Sequence, residues 1–133
     1  MWTANTPLIA ASCSSHTNWN SPADPSPSEI SRIHAAILTV ANETQVPAQL
    51  ILAFIMQESG GCVRAPTTNY GHDNPGLMQT FEGRGSCNTH KLVDGVLSDE
   101  GVVETPCPDE VIERMVREGT RGIDGKAMSI VSA

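Results

Sequence analysis

The longest uninterrupted apolar stretch of the chain is Leu50–Met56, and it limits the fold more than any other feature. Pro47 precedes it, and Gly60-Gly61 follows it. Proline is favoured at the first position of a helix, and glycine is favoured just after the last position. The stretch is apolar on every side, so we expect a buried central helix that begins near Pro47 and reaches Ser59. It is far shorter than the roughly 20 residues of a membrane span.

Two further helices are indicated by their start signals. Ser26-Pro27-Ser28-Glu29 combines an N-cap serine, a proline at the first helical position and a glutamate three residues after the cap. Apolar residues then recur at helical spacing, and the helix should end near residues 42–45. Pro108-Asp109-Glu110 begins the other helix, which Gly119 ends. Its apolar face consists of Val111, Ile112, Met115 and Val116.

The rest of the chain has no comparable helical pattern. Met1–Pro27 is rich in Ser, Thr, Asn and Pro, and we expect an extended N-terminal arm tied down by Cys13 and Trp19. Val63–Ser86 is polar and glycine-rich, with one turn leading into a brief helix, and His90–Thr105 is expected to be loop. The length of 133 residues suits about one domain. We therefore predict a mainly α protein, with an arm over 1–27 and one domain over 28–133.

Charge and histidine spacing exclude several classes of function. Fifteen acidic and eight basic residues give a net charge of −7. Nucleic acids and anionic membranes attract positive surfaces, so neither is an expected partner. The four histidines show no metal-binding spacing, and we expect neither a metal nor a cofactor. The chain is expected to be a monomer.

The four cysteines indicate an oxidising compartment. Their number is even, and they are widely spaced along the chain. The absence of a CxxC pair argues against zinc ribbons and thioredoxin-like sites. We expect two disulfides in a secreted, extracellular protein. The sequence allows three pairings and does not choose between them, and buried free thiols are the alternative. The four residues are Cys13, Cys62, Cys87 and Cys107.

Glu58 is the candidate for acid–base chemistry. It ends a helix whose preceding turns are apolar, and Ser59 and Gly60-Gly61 then open the chain into a loop. Partial desolvation at such an edge disfavours the charged form and raises the pKa of the carboxyl. A general acid that works near neutral pH needs this property. The alternative is an ordinary solvated glutamate at a helix end.

A second motif, Asn74-Pro75-Gly76-Leu77-Met78-Gln79, lies in the following loop. Gly76 permits a close backbone approach, and Gln79 offers an amide able to bond a sugar or N-acetyl group. A structural turn is the alternative. Together with the helix ending in Glu58-Ser59, this order and spacing resembles the soluble lytic transglycosylases and goose-type lysozymes, the family-23 glycoside hydrolases. The resemblance covers residues 28–79, and the cysteine-rich loop is more similar to secreted fungal members.

The resemblance implies a lysozyme-like α fold and cleavage of a β-1,4-linked N-acetylhexosamine polymer, peptidoglycan or chitin. In that family the glutamate matching Glu58 protonates the leaving oxygen, and the N-acetyl group of the substrate assists in place of a second carboxylate. Asp73 is the candidate to orient a water in a hydrolytic reaction. The expected substrate-binding residues are Ser59, Tyr70, Asn74, Met78 and Gln79.

One family motif has no match in this chain. The family carries Ala-x-x-Tyr-Asn-x-Gly on a later helix, whereas nothing of that form follows Gly119, and Tyr70 is the only tyrosine. We therefore expect a member truncated at its C-terminal end. A non-catalytic glycan-binding or secreted effector protein on the same scaffold is the alternative function, and a small disulfide-bonded structural domain is a further one.

Overall fold

A computed structural model of the chain contains four helices and a four-stranded mixed sheet within residues 1–123, which are the residues that the structure describes. The helices are α1 (Trp2–Ala10), α2 (Pro27–Thr44), α3 (Ala48–Glu58) and α4 (Asp109–Arg121). The strands are β1 (Thr67–Asn69), β2 (Asp73–Asn74), β3 (Lys91–Val93) and β4 (Val96–Leu97). The predicted mainly α, lysozyme-like fold class is wrong, because a sheet forms in segments that were expected to be loop. The fold is α+β, and the last part of the predicted domain, residues 124–133, lies outside the described residues.

The three predicted helices are confirmed, and the expected capping box is present at the start of α2. At the start of α2, the Ser26 hydroxyl accepts a hydrogen bond from the Glu29 amide at 3.1 Å, and the Glu29 carboxylate accepts one from the Ser26 amide at 2.9 Å. This reciprocal capping box satisfies two backbone donors that the first turn leaves unpaired. The helix ends before Gln45, and α4 continues two residues past Gly119.

The central helix is α2 rather than α3. α2 contacts α1, α3 and α4, and it buries Ile33, Ile37 and Val40. α3 buries only one stripe, Ile51, Leu52 and Ile55, while Leu50 and Phe54 are 42% and 39% exposed. The expectation that α3 is the buried central helix is therefore wrong. A helix that is apolar on every side is buried only where neighbours cover it, and the described residues cover one side of α3.

The sheet joins two segments that the sequence analysis assigned to loop. Its strand order is β2-β1-β3-β4, with β1 and β3 parallel and the two outer pairs antiparallel. β3 and β4 form a hairpin through Asp94-Gly95, both with positive φ angles, of 50° and 79°. An Asp-Gly pair is favoured in two-residue hairpin turns. The prediction of loop over residues 90–105 is wrong, because this Asp-Gly turn lets β3 and β4 pair within that segment. Similarly, residues 76–79 form a turn without the expected brief helix.

The N-terminal segment is not the extended arm that its composition predicts. Residues 2–10 form α1, which packs on α2 and buries Ile9 in the main core. Gly61 makes this contact possible, because its φ is +95° and a Cβ there would lie 2.6 Å from the Ile9 side chain. The expected anchors are confirmed: Cys13 and Trp19 are buried together in a second, smaller core.

Two disulfides are present, and the structure selects one of the three pairings. Cys13 bonds to Cys62, and Cys87 bonds to Cys107. The first joins the N-terminal segment to the residues that follow α3, and the second joins the sheet region to the start of α4. The alternative of free thiols is wrong. Disulfides form and persist in oxidising compartments.

No helix among residues 1–123 combines the length and the apolar character that a membrane span needs.

A buried ion pair between Arg64 and Glu29 joins the helices to the sheet region. Their side chains are 1% and 5% exposed, and the guanidinium donates to both carboxylate oxygens, at 2.7 and 2.8 Å. Arg64 also donates to the carbonyls of Ala23 and Asp24. The Glu29 carboxylate additionally accepts from the Cys107 amide at 2.7 Å. Four segments of the chain therefore meet at one pair of charges.

These hydrogen bonds decide the ionisation of Glu29. Burial on its own raises the pKa of the Glu29 carboxyl, but the bonds from the Arg64 guanidinium and from two backbone amides outweigh it and lower the pKa from 4.5 to about 2. Because the folded-state pKa is depressed, the pair stabilises the fold above pH 4.5. That contribution is lost as the pH falls towards about 2.

We expect Arg64→Met to lower the free energy of unfolding by about 3–5 kcal/mol, because it leaves the Glu29 carboxylate buried without its partner. The matched control is Arg32→Met, which breaks an exposed ion pair with Asp109 and should cost about 1 kcal/mol or less. Urea denaturation at pH 7 measures both. Equal losses in the two variants would show that the buried pair is not a main source of stability.

Candidate functional site

Glu58 is the last residue of α3, and its side chain is exposed, although the packed end of the helix shields the carboxyl from part of the surrounding water. This partial burial raises the pKa of Glu58 above the usual 4.5. Within residues 1–123, no ion pair or side-chain hydrogen bond involves Glu58, so nothing there opposes the effect of burial. The direction of the shift is the one that a general acid needs.

Ser59 connects the end of α3 to the second sequence motif. Its side chain is 1% exposed, and its hydroxyl donates to the Leu77 carbonyl at 2.7 Å. The same hydroxyl accepts from the Gly61 amide at 3.1 Å. The two motifs are therefore joined directly, through the residue that follows Glu58.

The turn at residues 76–79 is pressed against α4. Gly76 has a φ of +76°, and a Cβ at this position would overlap the Met115 sulfur. Leu77 is fully buried, and Met78 is 6% exposed and packs against Gly119. The predicted substrate-binding residue Met78 thus lies in the core, where it fixes the position of the turn.

The Gln79 amide ties this turn to the sheet. Its carbonyl accepts from the Thr68 hydroxyl at 2.6 Å, and its nitrogen donates to the carbonyls of Pro66 and Gly76 at 3.1 and 2.9 Å. Both N–H groups are engaged within the protein. In this structure Gln79 therefore orients the turn, and a sugar would have to displace one of these bonds to reach the amide.

The remaining predicted residues lie on the β1–β2 hairpin. Asn74 donates to the Thr68 carbonyl at 3.2 Å, and Tyr70 at the hairpin tip is 73% exposed. Asp73 accepts from Asn69 at 2.7 Å and pairs with Lys91 at 3.2 Å. The Asn69 hydrogen bond, aided by the Lys91 charge and only partly opposed by burial, lowers the pKa of Asp73. Asp73 is therefore a fixed anion at neutral pH.

Asp73 faces an open, polar cleft of about 420 Å³. The cleft is lined by residues from the β1–β2 hairpin, from β3 and from the segment after the turn: Asn69, Gly71, His72, Asp73, Glu82, Gly83 and Lys91. A size of this order suits a small-molecule or single-sugar site. Within residues 1–123, no three His, Cys, Asp or Glu side chains stand close enough to hold a metal ion.

A set of hydrogen bonds links three of the predicted site residues, Ser59, Gln79 and Asn74. It runs from Ser59 to the turn at residues 76–79, from Gln79 to Thr68, and from Thr68 to Asn74. Thr68 and Lys91 were missed by the sequence analysis. Thr68 belongs to no recognisable motif. Lys91 reaches Asp73 only because β3 pairs in parallel with β1, and such a long-range contact leaves no local signal in the sequence.

No family model matches the chain, and comparison with curated proteins and with solved structures found no similar protein. What the site can do must therefore be inferred from its own residues.

We expect Ser59→Ala to lower the free energy of unfolding by about 1–3 kcal/mol, because it leaves the buried Leu77 carbonyl without its donor. Ser31→Ala, at an exposed position of α2, is the matched control and should change stability by less than about 0.5 kcal/mol. Chemical denaturation measures both. If the two variants have the same stability, the Ser59 contact does not hold the turn.

Proposed function

We propose that the chain cleaves β-1,4-linked N-acetylhexosamine polymers, peptidoglycan or chitin, and that Glu58 is the acid and base of the reaction. The observation that carries the proposal is the exposed Glu58 side chain, whose partly desolvated carboxyl has a raised pKa, at a helix end that Ser59 joins to the turn at residues 76–79. The two disulfides are compatible with action outside the cell, which forms part of the proposal.

The proposed reaction needs only one carboxyl group on the enzyme. Glu58 gives its proton to the glycosidic oxygen as the bond from that oxygen to the anomeric carbon breaks. The sugar that contains this anomeric carbon also carries an N-acetyl group, and the oxygen of that group forms a bond to the anomeric carbon as the glycosidic oxygen leaves. The Glu58 carboxylate then removes a proton from a water or from the sugar's own 6-hydroxyl, whose oxygen displaces the N-acetyl group. Most glycosidases use a second carboxylate, and substrate-assisted enzymes are the exception.

The other site residues divide into two roles in this proposal. Tyr70 and Asp73 are accessible, so they are the side chains placed to contact sugar, with Asp73 as an anion that can orient a water. Ser59, Met78 and Gln79 are engaged within the protein and position the turn beside the end of α3. Asn74 supports the hairpin in the same way.

Glu58→Gln should reduce cleavage by roughly 10²- to 10⁴-fold, because the amide cannot donate the proton that the leaving oxygen needs. The matched control is Glu110→Gln, an exposed glutamate in the first turn of α4, which should keep full activity. Mass spectrometry of products from a chito-oligomer and from peptidoglycan gives the rate, the substrate and the reaction type together. An anhydro product, lighter than the hydrolytic one by a water, identifies intramolecular attack by the 6-hydroxyl.

If wild type and Glu58→Gln give the same products at the same rate, Glu58 is not the acid. Binding of either polymer without turnover in the wild type would replace the enzymatic proposal with a glycan-binding function. Absence of both binding and turnover would remove the glycan from the proposal altogether.

The pH dependence of cleavage should report the protonation of Glu58. The acid must be protonated in the first step, so kcat should fall as the pH rises through the pKa of Glu58 in the complex. Because burial raises this pKa, the midpoint of the descending limb should lie above 4.5. A profile of kcat against pH measures it, and a midpoint below 4.5 would contradict the assignment of Glu58.

A further inference from the structure

Four of the six arginines of the chain line one cavity at the C-terminal end of α4. The cavity has a volume of about 500 Å³, within the range of roughly 300–1,000 Å³ that is usual for small-molecule sites. Its walls are Arg84, Arg114, Arg117, Glu118, Arg121, Gly122 and Ile123. Such a concentration of cations stands out in a chain whose net charge is −7.

α4 itself creates most of this cationic wall. Arg114, Arg117 and Arg121 are three and four residues apart, so they share one face of the helix. The other face is buried in the main core through Ile112, Met115 and Val116. The helix thus separates the core from a row of guanidinium groups.

Arg84 is brought to the same cavity by a buried carboxylate. Glu118 is 9% exposed, and one of its oxygens accepts from the amides of Arg84 and Gly85 at 2.9 and 2.8 Å. Its other oxygen accepts from Arg114 at 3.2 Å. The loop that carries Arg84 is therefore fixed against α4, and the cavity wall is held by buried hydrogen bonds.

Two of the four arginines form ion pairs with carboxylates of the protein. Arg117 binds Glu43 through two nitrogens, at 3.0 and 2.8 Å, and also reaches Glu113 at 3.4 Å. Arg114 is paired with Glu118. The carboxylates around the cavity thus neutralise these two guanidinium groups.

Arg84 and Arg121 are different. Among residues 1–123, neither has an ion-pair partner or a hydrogen bond from its side chain. The Arg117 hydrogen bond is the main reason why the pKa of Glu43 is lowered, and the Arg121 charge adds to it at longer range. Two exposed guanidinium groups therefore line the cavity with no carboxylate paired to them in the described part of the chain.

We propose that this cavity binds a phosphate group carried by a small soluble molecule, with Arg84 and Arg121 as its direct partners. A phosphomonoester carries roughly −1.5 to −2 charges at pH 7. This charge matches two guanidinium groups that have no ion-pair partner within residues 1–123, whereas a carboxylate matches only one. Guanidinium groups also donate two parallel hydrogen bonds to phosphate oxygens. The volume leaves space for the molecule that carries the phosphate.

The C-terminal end of α4 works against an anion, because a helix carries partial negative charge there. The two full guanidinium charges are therefore required for binding. None of the residues proposed for glycan cleavage lines this cavity. The two proposals are therefore independent, and a test that contradicts one does not contradict the other.

Calorimetric titration with glucose 6-phosphate, at low salt and pH 7, tests the site. Glucuronate is the matched ligand control, because it is a sugar of similar size with a carboxylate in place of the phosphate. We expect glucose 6-phosphate to bind at least tenfold more tightly than glucuronate. Inorganic phosphate alone should bind more weakly than glucose 6-phosphate, because it fills little of the cavity.

The protein variants are the Arg84→Gln, Arg121→Gln double variant and the Arg32→Gln control, which removes an exposed arginine of α2 outside the cavity. The double variant should lose at least tenfold in affinity for glucose 6-phosphate, and the control should lose none. Both changed positions are exposed, and circular dichroism verifies that the fold is kept. Arg121→Gln alone provides a second test, with a smaller loss expected.

Equal affinity for glucose 6-phosphate and glucuronate overturns the proposal, as does equal affinity of the wild type and the double variant. Failure of the wild type to bind either phosphate probe at millimolar concentration also overturns it. Vesicles containing phosphatidic acid distinguish the source of the phosphate. If the protein binds these vesicles through Arg84 and Arg121 but does not bind glucose 6-phosphate, the proposal of a soluble ligand is wrong. The ligand would then be a lipid headgroup.

Discussion

The Arg64–Glu29 ion pair is the contact on which the other parts of this structure depend. Glu29 completes the capping box of α2 and also accepts the Cys107 amide just before α4, while Arg64 holds the carbonyls of residues 23 and 24. Because Arg64 lies three residues before β1, the pair also fixes where the sheet begins. The Arg64 carbonyl accepts from the buried Asn88 side chain on the way to β3. One desolvated pair therefore sets the relative positions of α2, α4 and the sheet.

This arrangement extends to the candidate site through short covalent connections. Pro66 is two residues from Arg64, and its carbonyl accepts from the Gln79 amide. The turn that Gln79 closes is the same one that Ser59 holds against the end of α3. The position of Ser59, the residue after Glu58, relative to the turn at residues 76–79 is thus fixed by a buried hydrogen bond. In the proposed reaction, supporting contacts of this kind keep Glu58 in a fixed position.

Three carboxyl groups show how environment, and not burial alone, sets ionisation. Glu29 is the most buried of the three, yet its pKa falls to about 2 because a guanidinium and two amides surround it. Asp73 is lowered by Asn69 and Lys91 in the same manner. Glu58 is less buried than Glu29, but its pKa rises because the described residues give it no compensating donor. Of the three, only the Glu58 carboxyl has a raised pKa, which is the direction that a general acid needs.

Net charge and local charge also lead to different conclusions about partners. The total of −7 argues against nucleic acids and anionic membranes, which respond to the field of a whole surface. Arg84 and Arg121 face one cavity despite that total, because the helical spacing of α4 and the buried Glu118 place them there. Whole-chain composition is an average over the surface and does not describe any single cavity.

The sequence by itself determined three of the four helices that the described residues form. It located α2 through its capping box and apolar spacing, and α4 through its Pro-Asp-Glu start and apolar spacing. It also located α3 through its proline and glycine boundaries, and Glu58 as a partly desolvated carboxyl at a helix end. Such features depend on neighbours within a few residues, so they can be predicted from the local pattern of the sequence. The Asp94-Gly95 hairpin belonged to the same class and was missed, although its signal was present.

Only the tertiary structure decided what depends on contacts between distant residues. It selected the Cys13–Cys62 and Cys87–Cys107 pairing, placed α2 rather than α3 at the centre, and paired β1 with β3 across some twenty residues of chain. It also paired Arg64 with Glu29, thirty-five residues apart, and engaged the Gln79 amide within the protein. These contacts follow from how the elements pack together, and no periodicity in the sequence encodes which distant partners will meet.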